Sequence, residues 1–185
     1  MIEIKKVGRI EVITGCMFSG KTEELIRELR CFQIAKLQII VFKPNMGAEL
    51  EIISHDGEKF KAFPIKNPYN IMAFDSDVVG IDDGQFFGEE LVEVVKKIAY
   101  NGKRVIIAGL DMDFRGEPFG PMPQIMAIAD DVLKLHAVCA VCGQDATMTQ
   151  RLINGKPAKY DDPVIIIGAE EKYEPRCRDH HEVLY

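Results

Sequence analysis

The sequence predicts an α/β protein with a parallel sheet flanked by helices. Between residues 10 and 135, short apolar segments alternate with amphipathic ones, the pattern of βαβ units with right-handed crossovers. A glycine-rich turn separates the first apolar segment from the first amphipathic one, and paired cysteines appear only after residue 135. We therefore predict an α/β domain over residues 1–135 and a small metal-binding β subdomain over residues 136–185.

The order of the elements follows from the spacing of apolar residues. A first strand is predicted at residues 10–14, and a first helix with i, i+3, i+4, i+7 spacing is expected to end near Ala35. A second strand at residues 38–42 should stop at Lys43-Pro44, because proline lacks a backbone donor. Residues 45–70 predict a loop with a hairpin around Asp56-Gly57 and then a weak element. The remaining predictions are a strand at 78–83, a helix from Leu91 closed by Asn101-Gly102, a strand at 104–109, a short helix at 124–129 and a strand at 132–135.

Charge and cysteine content exclude several classes of protein. The net charge of −6 is the wrong sign for a chain that binds a nucleic-acid backbone. No apolar stretch approaches the roughly 20 residues of a membrane span, and the N-terminus lacks the apolar core of a secretory signal. Five cysteines, three of them in a metal-like spacing, argue against a disulfide framework. We predict a cytoplasmic protein with neither a nucleic-acid nor a membrane partner.

Residues 15–22 carry phosphate-binding chemistry. They match G-x-x-x-x-G-K-[ST] between a predicted strand and helix, which indicates a P-loop NTPase-like fold. Gly15 and Gly20 let backbone N–H groups approach a phosphate at the helix N-terminus. Lys21 would supply a cation for the β and γ phosphates, and Thr22 a hydroxyl for Mg²⁺. The predicted ATP site is Gly15, Cys16, Met17, Phe18, Ser19, Gly20, Lys21 and Thr22.

Two carboxylates end the strand predicted at 78–83. An acidic residue at this position, downstream of a phosphate loop, is the expected holder of Mg²⁺, which assigns that role to Asp82. Asp83 is then placed to face the attacking hydroxyl as a general base. Asp111 follows the next strand, and its role stays open between metal or substrate binding and capping a loop.

A second constellation lies near the C-terminus. Cys139-x-x-Cys142 and Cys177-x-x-His180 offer four ligands, enough for a closed, structural Zn²⁺ site. His181 is an alternative fourth ligand, and the spacing favours His180. The metal would stabilise the segment between the two pairs, where Asn154-Gly155 predicts a hairpin and residues 164–167 a strand.

With these motifs, the chain resembles the thymidine kinases of the cytosolic, zinc-containing type. The resemblance covers nearly the whole chain and rests on residues 10–22, 81–87, 109–111, 114–120 and 168–173. It implies transfer of the γ-phosphoryl group of ATP to the 5′-hydroxyl of thymidine or deoxyuridine, with Mg²⁺, by a homotetramer that dTTP inhibits. It also implies a lasso-like lid loop, about residues 143–176, over the nucleoside, and a catalytic carboxylate at Asp83. The positions that match the family's nucleoside pocket are Met17, Phe86, Leu110, Phe114, Phe119, Thr149, Val164, Ile166 and Tyr173.

Three positions depart from the family pattern. Asp83 stands where the family has Glu, Cys16 stands where proline is usual, and residues 47–49 replace an Asp-x-Arg that follows Lys43-Pro44 in many relatives. Because a misplacement on the order of 1 Å can cost roughly a hundredfold in rate, turnover should suffer more than nucleotide binding. Two alternatives remain: an ATPase that binds nucleic acid through a zinc ribbon, and a nucleotide-binding homologue with weak catalysis.

Overall fold

The chain folds into one parallel sheet and several smaller antiparallel sheets. The computed structural model describes residues 8–46, 50–54, 56–165 and 171–185. In chain order the elements are β1 (Arg9–Gly15), α1 (Lys21–Ile34), β2 (Ile39–Pro44), β3 (Glu51–Ile53), β4 (Lys59–Lys61), β5 (Phe63–Ile65), a 3₁₀ helix (Pro68–Ala73), β6 (Val78–Ile81), a second 3₁₀ helix (Gly84–Phe86), α2 (Glu90–Tyr100), β7 (Arg104–Gly109), α3 (Met122–Ile128), β8 (Asp131–Leu135), β9 (Ala137–Val138), β10 (Asp145–Ala146), β11 (Met148–Ile153), β12 (Lys156–Pro157) and β13 (Glu171–Arg176).

The large sheet brings the loops of three central strands to one edge. Within the described residues its order is β5-β2-β6-β7-β1-β8, and every paired strand runs parallel. Thr14 lies opposite Gly109, and Ile81 lies opposite Ile107. The segments that follow β1, β6 and β7 therefore meet at the carboxyl edge, where ligands bind in open α/β sheets.

Helices cover both faces of this sheet because its strands alternate their apolar side chains. On β7, Val105 and Ile107 face a core that α2 and α3 complete, whereas Ile106 and Ala108 face a core that includes Leu25 of α1. Each fully buried aliphatic side chain contributes about 1.5–3 kcal/mol relative to an exposed one. Burial of both faces of the parallel sheet by helices confirms the predicted α/β class.

Most predicted elements of the sheet are confirmed to within a few residues, with two corrections. The hairpin at Asp56-Gly57 is present as β3 and β4. The prediction that the second strand stops before Lys43-Pro44 was wrong, because β2 continues through Pro44. There it pairs with β5, an edge strand that was not predicted. Pro44 lies beyond Phe42, the last residue paired with β6, so its missing N–H removes no bond from that ladder.

The C-terminal part of the chain forms a pair, β9–β10, and a three-stranded sheet, β12-β11-β13. The hairpin predicted at Asn154-Gly155 is confirmed, with φ of 51° and 76° at its two residues. The strand predicted at residues 164–167 is wrong for Val164 and Ile165, which follow Pro163 and line a cavity instead of pairing. The rest of that strand lies outside the described residues. No helix in the described part of the chain is long and apolar enough to cross a membrane.

Candidate functional site

The loop between β1 and α1 has the backbone that a phosphate cradle requires. Gly15 has φ of 141°, and a Cβ atom there would lie 2.3 Å from the carbonyl oxygen of Leu135. Gly20 precedes α1 in the left-handed region, with φ of 84°. Only glycine fits the first position, and glycine is strongly favoured at the second. The N-terminus of α1 therefore starts directly at the loop, as an anion site requires.

Two polar side chains of this loop are half-buried. Lys21 Nζ donates to the carbonyl oxygen of Cys16 at 2.7 Å, and burial lowers the pKa of Lys21 while nearby anionic groups oppose that change. Ser19 Oγ is buried and has no hydrogen-bond partner among the residues that the structure describes. A buried hydroxyl without a partner is costly, and a phosphate oxygen would satisfy it.

Asp82 forms an oxygen-rich pair with Thr22. Thr22 Oγ1 donates toward the two carboxylate oxygens of Asp82, at 3.2 and 3.4 Å. Burial of Asp82, together with the charge of Asp83, raises the pKa of Asp82 to about 7. A hydroxyl and a carboxylate are ligands that suit Mg²⁺, so these two residues fit the ion.

Asp83 is held differently from its neighbour. Its backbone is left-handed, with φ of 53°, and its N–H donates to Asp82 Oδ1 at 3.0 Å. Gln85 Nε2 donates to Asp83 Oδ1 at 3.1 Å. Asp111, whose role the sequence left open, instead forms an ion pair with Lys134 at 2.6 Å. Of the three carboxylates, only Asp83 lines the cavity described next.

A cavity of about 390 Å³ joins the phosphate loop to a set of aromatic side chains. We call Phe86, Phe114, Phe119 and Tyr173 the aromatic wall. Lys21, Thr22 and Asp83 line the same cavity. The other described residues assigned to the nucleoside pocket also line it: Met17, Leu110, Thr149 and Val164. Ile166 lies outside the described residues. Of the other residues predicted for the ATP and Mg²⁺ sites, Phe18 and Gly20 line the cavity, whereas Gly15, Cys16, Ser19 and Asp82 do not.

Contacts between side chains fix the aromatic wall. Phe86 and Phe119 pack edge to face, with ring centroids 5.5 Å apart. The guanidinium of the fully buried Arg151 lies 4.9 Å from the Phe114 ring centroid, and its Nη1 donates to the carbonyl oxygen of Pro163. Arg151 thus links the wall to the chain segment that enters the cavity at Val164.

Sequence reasoning missed several residues of the cavity. Gln85 lines it and contacts Asp83, and its place between Asp83 and Phe86 was the signal that could have found it. Asp113 also lines it and accepts hydrogen bonds from Arg115 N and Nε, both at 2.8 Å. Other lining residues that were not predicted are Glu23, Met46, Met112 and Ile165.

Three cysteines and one histidine form a metal-type cluster near the C-terminus. The ligand atoms of Cys139, Cys142, Cys177 and His180 all lie within 4.8 Å of one another. Although burial opposes ionisation, backbone N–H groups lower the pKa of Cys139 to about 6, which favours a thiolate. This donor set fits a structural Zn²⁺. His181 is not part of it, because its Nε2 lies 2.8 Å from the carbonyl oxygen of Phe114.

The cluster and the phosphate loop are in contact. Cys16 Sγ donates to the carbonyl oxygen of Ala146 at 3.3 Å and packs in one buried cluster with Cys139 and Cys177. Met17 N donates to Thr149 Oγ1 at 3.1 Å. Two hydrogen bonds therefore attach the phosphate loop to the C-terminal part of the chain.

The parallel sheet, the phosphate loop and the carboxylates at its edge define a nucleotide-binding protein of the P-loop class. The family model described as thymidine kinase matches residues 8–181. A thymidine kinase from Coprothermobacter proteolyticus is 57% identical over an alignment of 185 positions, which spans 97% of this chain and 93% of that protein. The chain belongs to the thymidine kinase family and is a phosphotransferase that uses ATP. The resemblance seen in the sequence is thereby confirmed.

A solved structure with little sequence similarity shares the fold. The flagellar accessory protein FlaH from Methanocaldococcus jannaschii matches with a TM-score of 0.53 over 76% of each chain, at 14% identity. At that identity the likeness shows the fold alone.

Proposed function

We propose that this chain phosphorylates the 5′-hydroxyl of thymidine with the γ-phosphoryl group of ATP, in the cavity described above. The observation that carries the proposal is that a single cavity is lined by phosphate-loop residues, by Asp83 and by the aromatic wall. Family membership supplies the two substrates.

The phosphate loop would bind the triphosphate. Its backbone N–H groups and the N-terminus of α1 would contact phosphate oxygens. Lys21 would exchange the carbonyl oxygen of Cys16 for the β and γ phosphates, and Ser19 Oγ would gain a partner. Thr22 and Asp82 would hold Mg²⁺, which when bound neutralises charge on those phosphates.

Asp83 would be the general base. It would take the proton of the 5′-hydroxyl as that oxygen bonds to the γ-phosphorus, and the bond from the γ-phosphorus to the β–γ bridging oxygen would break to release ADP. Catalysis would rest on positioning and charge stabilisation, as is usual for phosphoryl transfer.

The nucleoside would lie against the aromatic wall. Flat apolar rings such as the half-buried Phe86 and Phe119 offer stacking surfaces for a pyrimidine. A lid formed by residues 143–176 would cover it, because Val164 and Tyr173 of that stretch line the cavity. Cys142 directly precedes the lid and Cys177 directly follows it, so a metal ion bound by both would tether its two ends.

The direct test is the reaction itself. With ATP, Mg²⁺ and thymidine, the purified protein should form dTMP and ADP in equal amounts. Lys21→Ala should abolish product, and Asp83→Asn should lower kcat by about 10²–10⁴-fold. Lys96→Ala, at an exposed site on α2, is the matched control and should keep the parental rate. Failure to phosphorylate thymidine or deoxyuridine would contradict the proposal.

Asp83→Glu tests whether the shorter base limits turnover. A gain of about tenfold or more in kcat would show that the aspartate is poorly placed and would support the reading of a weakened homologue. The nucleic-acid ATPase is not favoured, because the family assignment explains the same loop and cluster.

Further expectations rest on the resemblance to the family. We propose that the chain forms a homotetramer, that dTTP inhibits it and that it acts in the cytoplasm. The division into an α/β domain over residues 1–135 and a zinc-binding subdomain over residues 136–185 likewise stays a prediction. Light scattering on the purified protein and dTTP inhibition curves would test the first two.

A further inference from the structure

We propose that Gln85 is a positioning residue that holds Asp83 Oδ1 and so leaves Oδ2 as the oxygen that accepts the proton. The inference rests on the proposed role of Asp83 as the base. It explains how a side chain as short as aspartate can present the base in a fixed position.

The two ends of the Gln85 amide bond different parts of the site. Its Nε2 donates to Asp83 Oδ1 at 3.1 Å, and its Oε1 accepts from Leu110 N at 2.9 Å. A carboxylate can only accept and a backbone N–H can only donate, so this pair of partners fixes the orientation of the amide. Gln85 therefore ties the base to the backbone of a residue that lines the cavity.

Packing leaves Gln85 little freedom to move. The residue is 3% exposed. A Cβ atom on Gly109 would lie 2.8 Å from Gln85 Oε1, and a Cβ atom on Gly120 would lie 2.3 Å from the backbone carbonyl oxygen of Gln85. Both glycines let backbone pack directly against the glutamine. A donor locked in this way positions its acceptor more precisely than a mobile surface group could.

The backbone of Asp83 is also constrained. It is left-handed, with φ of 53°, a region that aspartate tolerates better than most residues, and its N–H is bound by Asp82 Oδ1. Because backbone and Oδ1 are both held, the short side chain can present Oδ2 with little rotamer freedom. A longer side chain would need one more torsion angle fixed.

The first test is Gln85→Met, which keeps size and removes the amide. We expect kcat to fall about 10- to 100-fold, since a shift of the base by on the order of 1 Å has that effect, while the KM for ATP changes less than about threefold. Gln124→Met is the matched control, because Gln124 Nε2 also donates to a carboxylate, Glu89 Oε2 at 2.9 Å, but in an exposed pair. It should leave kcat unchanged.

A double-mutant cycle separates positioning from general structural damage. If Gln85 acts through the base, Gln85→Met should lower the residual kcat of Asp83→Asn no further. Equal fold losses in the parent and in Asp83→Asn would overturn the inference and leave the proposed function standing. Parental kcat in Asp83→Asn would instead refute the base assignment itself. Should Gln85→Met fail to fold, Gln85→Glu replaces it. The glutamate keeps an acceptor for Leu110 N and places a like charge beside Asp83. An unchanged kcat in Gln85→Glu would also overturn the inference.

Discussion

Disruption of the cluster of Cys139, Cys142, Cys177 and His180, whose donor set fits Zn²⁺, is expected to weaken ATP binding, although no cluster residue lines the cavity. The reason is the attachment of the phosphate loop to the C-terminal part of the chain. That attachment consists of the hydrogen bonds from Cys16 Sγ to Ala146 O and from Met17 N to Thr149 Oγ1. Without the metal, the strands that carry the two acceptors lose their anchor.

The size of the effect follows from these two bonds. A typical intramolecular hydrogen bond contributes about 0.5–1.5 kcal/mol net, so two contribute about 1–3 kcal/mol. If ATP must supply that ordering free energy in the zinc-free protein, its Kd should rise about 5- to 150-fold.

The assay combines metal content with nucleotide affinity. Zinc would be removed with a zinc-selective chelator and its loss confirmed by elemental analysis, and Kd would be measured by titration with a fluorescent ATP analogue and Mg²⁺. Adding Zn²⁺ back should restore affinity, and Cys177→Ser should reproduce the loss. Cys31→Ser, at an exposed cysteine of α1, should not. An unchanged Kd in zinc-free protein that keeps its circular dichroism spectrum would refute the reasoning.

Three further predictions concern the cavity and its surroundings. Arg151→Met should raise the KM for thymidine about tenfold or more and change the KM for ATP little, because it removes both the hydrogen bond to Pro163 O and the cation over the Phe114 ring. Equal changes in both KM values would contradict this prediction. Burial and a neighbouring charge raise the pKa of Asp82 to about 7, so a proton should compete with Mg²⁺ below that pH. The Mg²⁺ concentration for half-maximal rate should then rise about tenfold for each pH unit below 7, and a flat profile between pH 5.5 and 8.5 would count against it. Gly109→Ala should lower both the melting temperature and kcat, because its Cβ would lie 2.8 Å from Gln85 Oε1 and would displace the amide that holds Asp83. Parental values for both would argue against the close packing.

Local patterns were enough to predict much of this molecule. The phosphate loop is contiguous, and its glycines, Lys21 and Thr22 lie within residues 15–22, so the motif can be recognised without knowing its distant partners. The zinc-type motifs are also local, because Cys139-x-x-Cys142 and Cys177-x-x-His180 can each be recognised without knowing the structure of the chain between them. Apolar periodicity likewise predicted most strands of the sheet, because burial on both faces leaves a strong signal.

Weak or distant signals account for the errors. The edge strand β5 has three residues and little buried surface, so no period reveals it. The continuation of β2 through Pro44 depends on where its pairing with β6 ends, which only the register decides. Residues 164 and 165 look like a strand because they are apolar, but their apolar surface faces a cavity and not another strand.

The sequence by itself determined the class of the protein and the family to which it belongs, and it predicted the phosphate and metal sites. The spacing favoured His180 as the fourth ligand, and the tertiary structure confirmed this prediction by giving His181 a different partner, the carbonyl oxygen of Phe114. Only the tertiary structure placed Gln85 between Asp83 and the backbone of Leu110. The physical reason is the same in both cases: a side chain's role depends on the partner it meets, and partners distant in sequence are brought together by packing of the sheet and its loops.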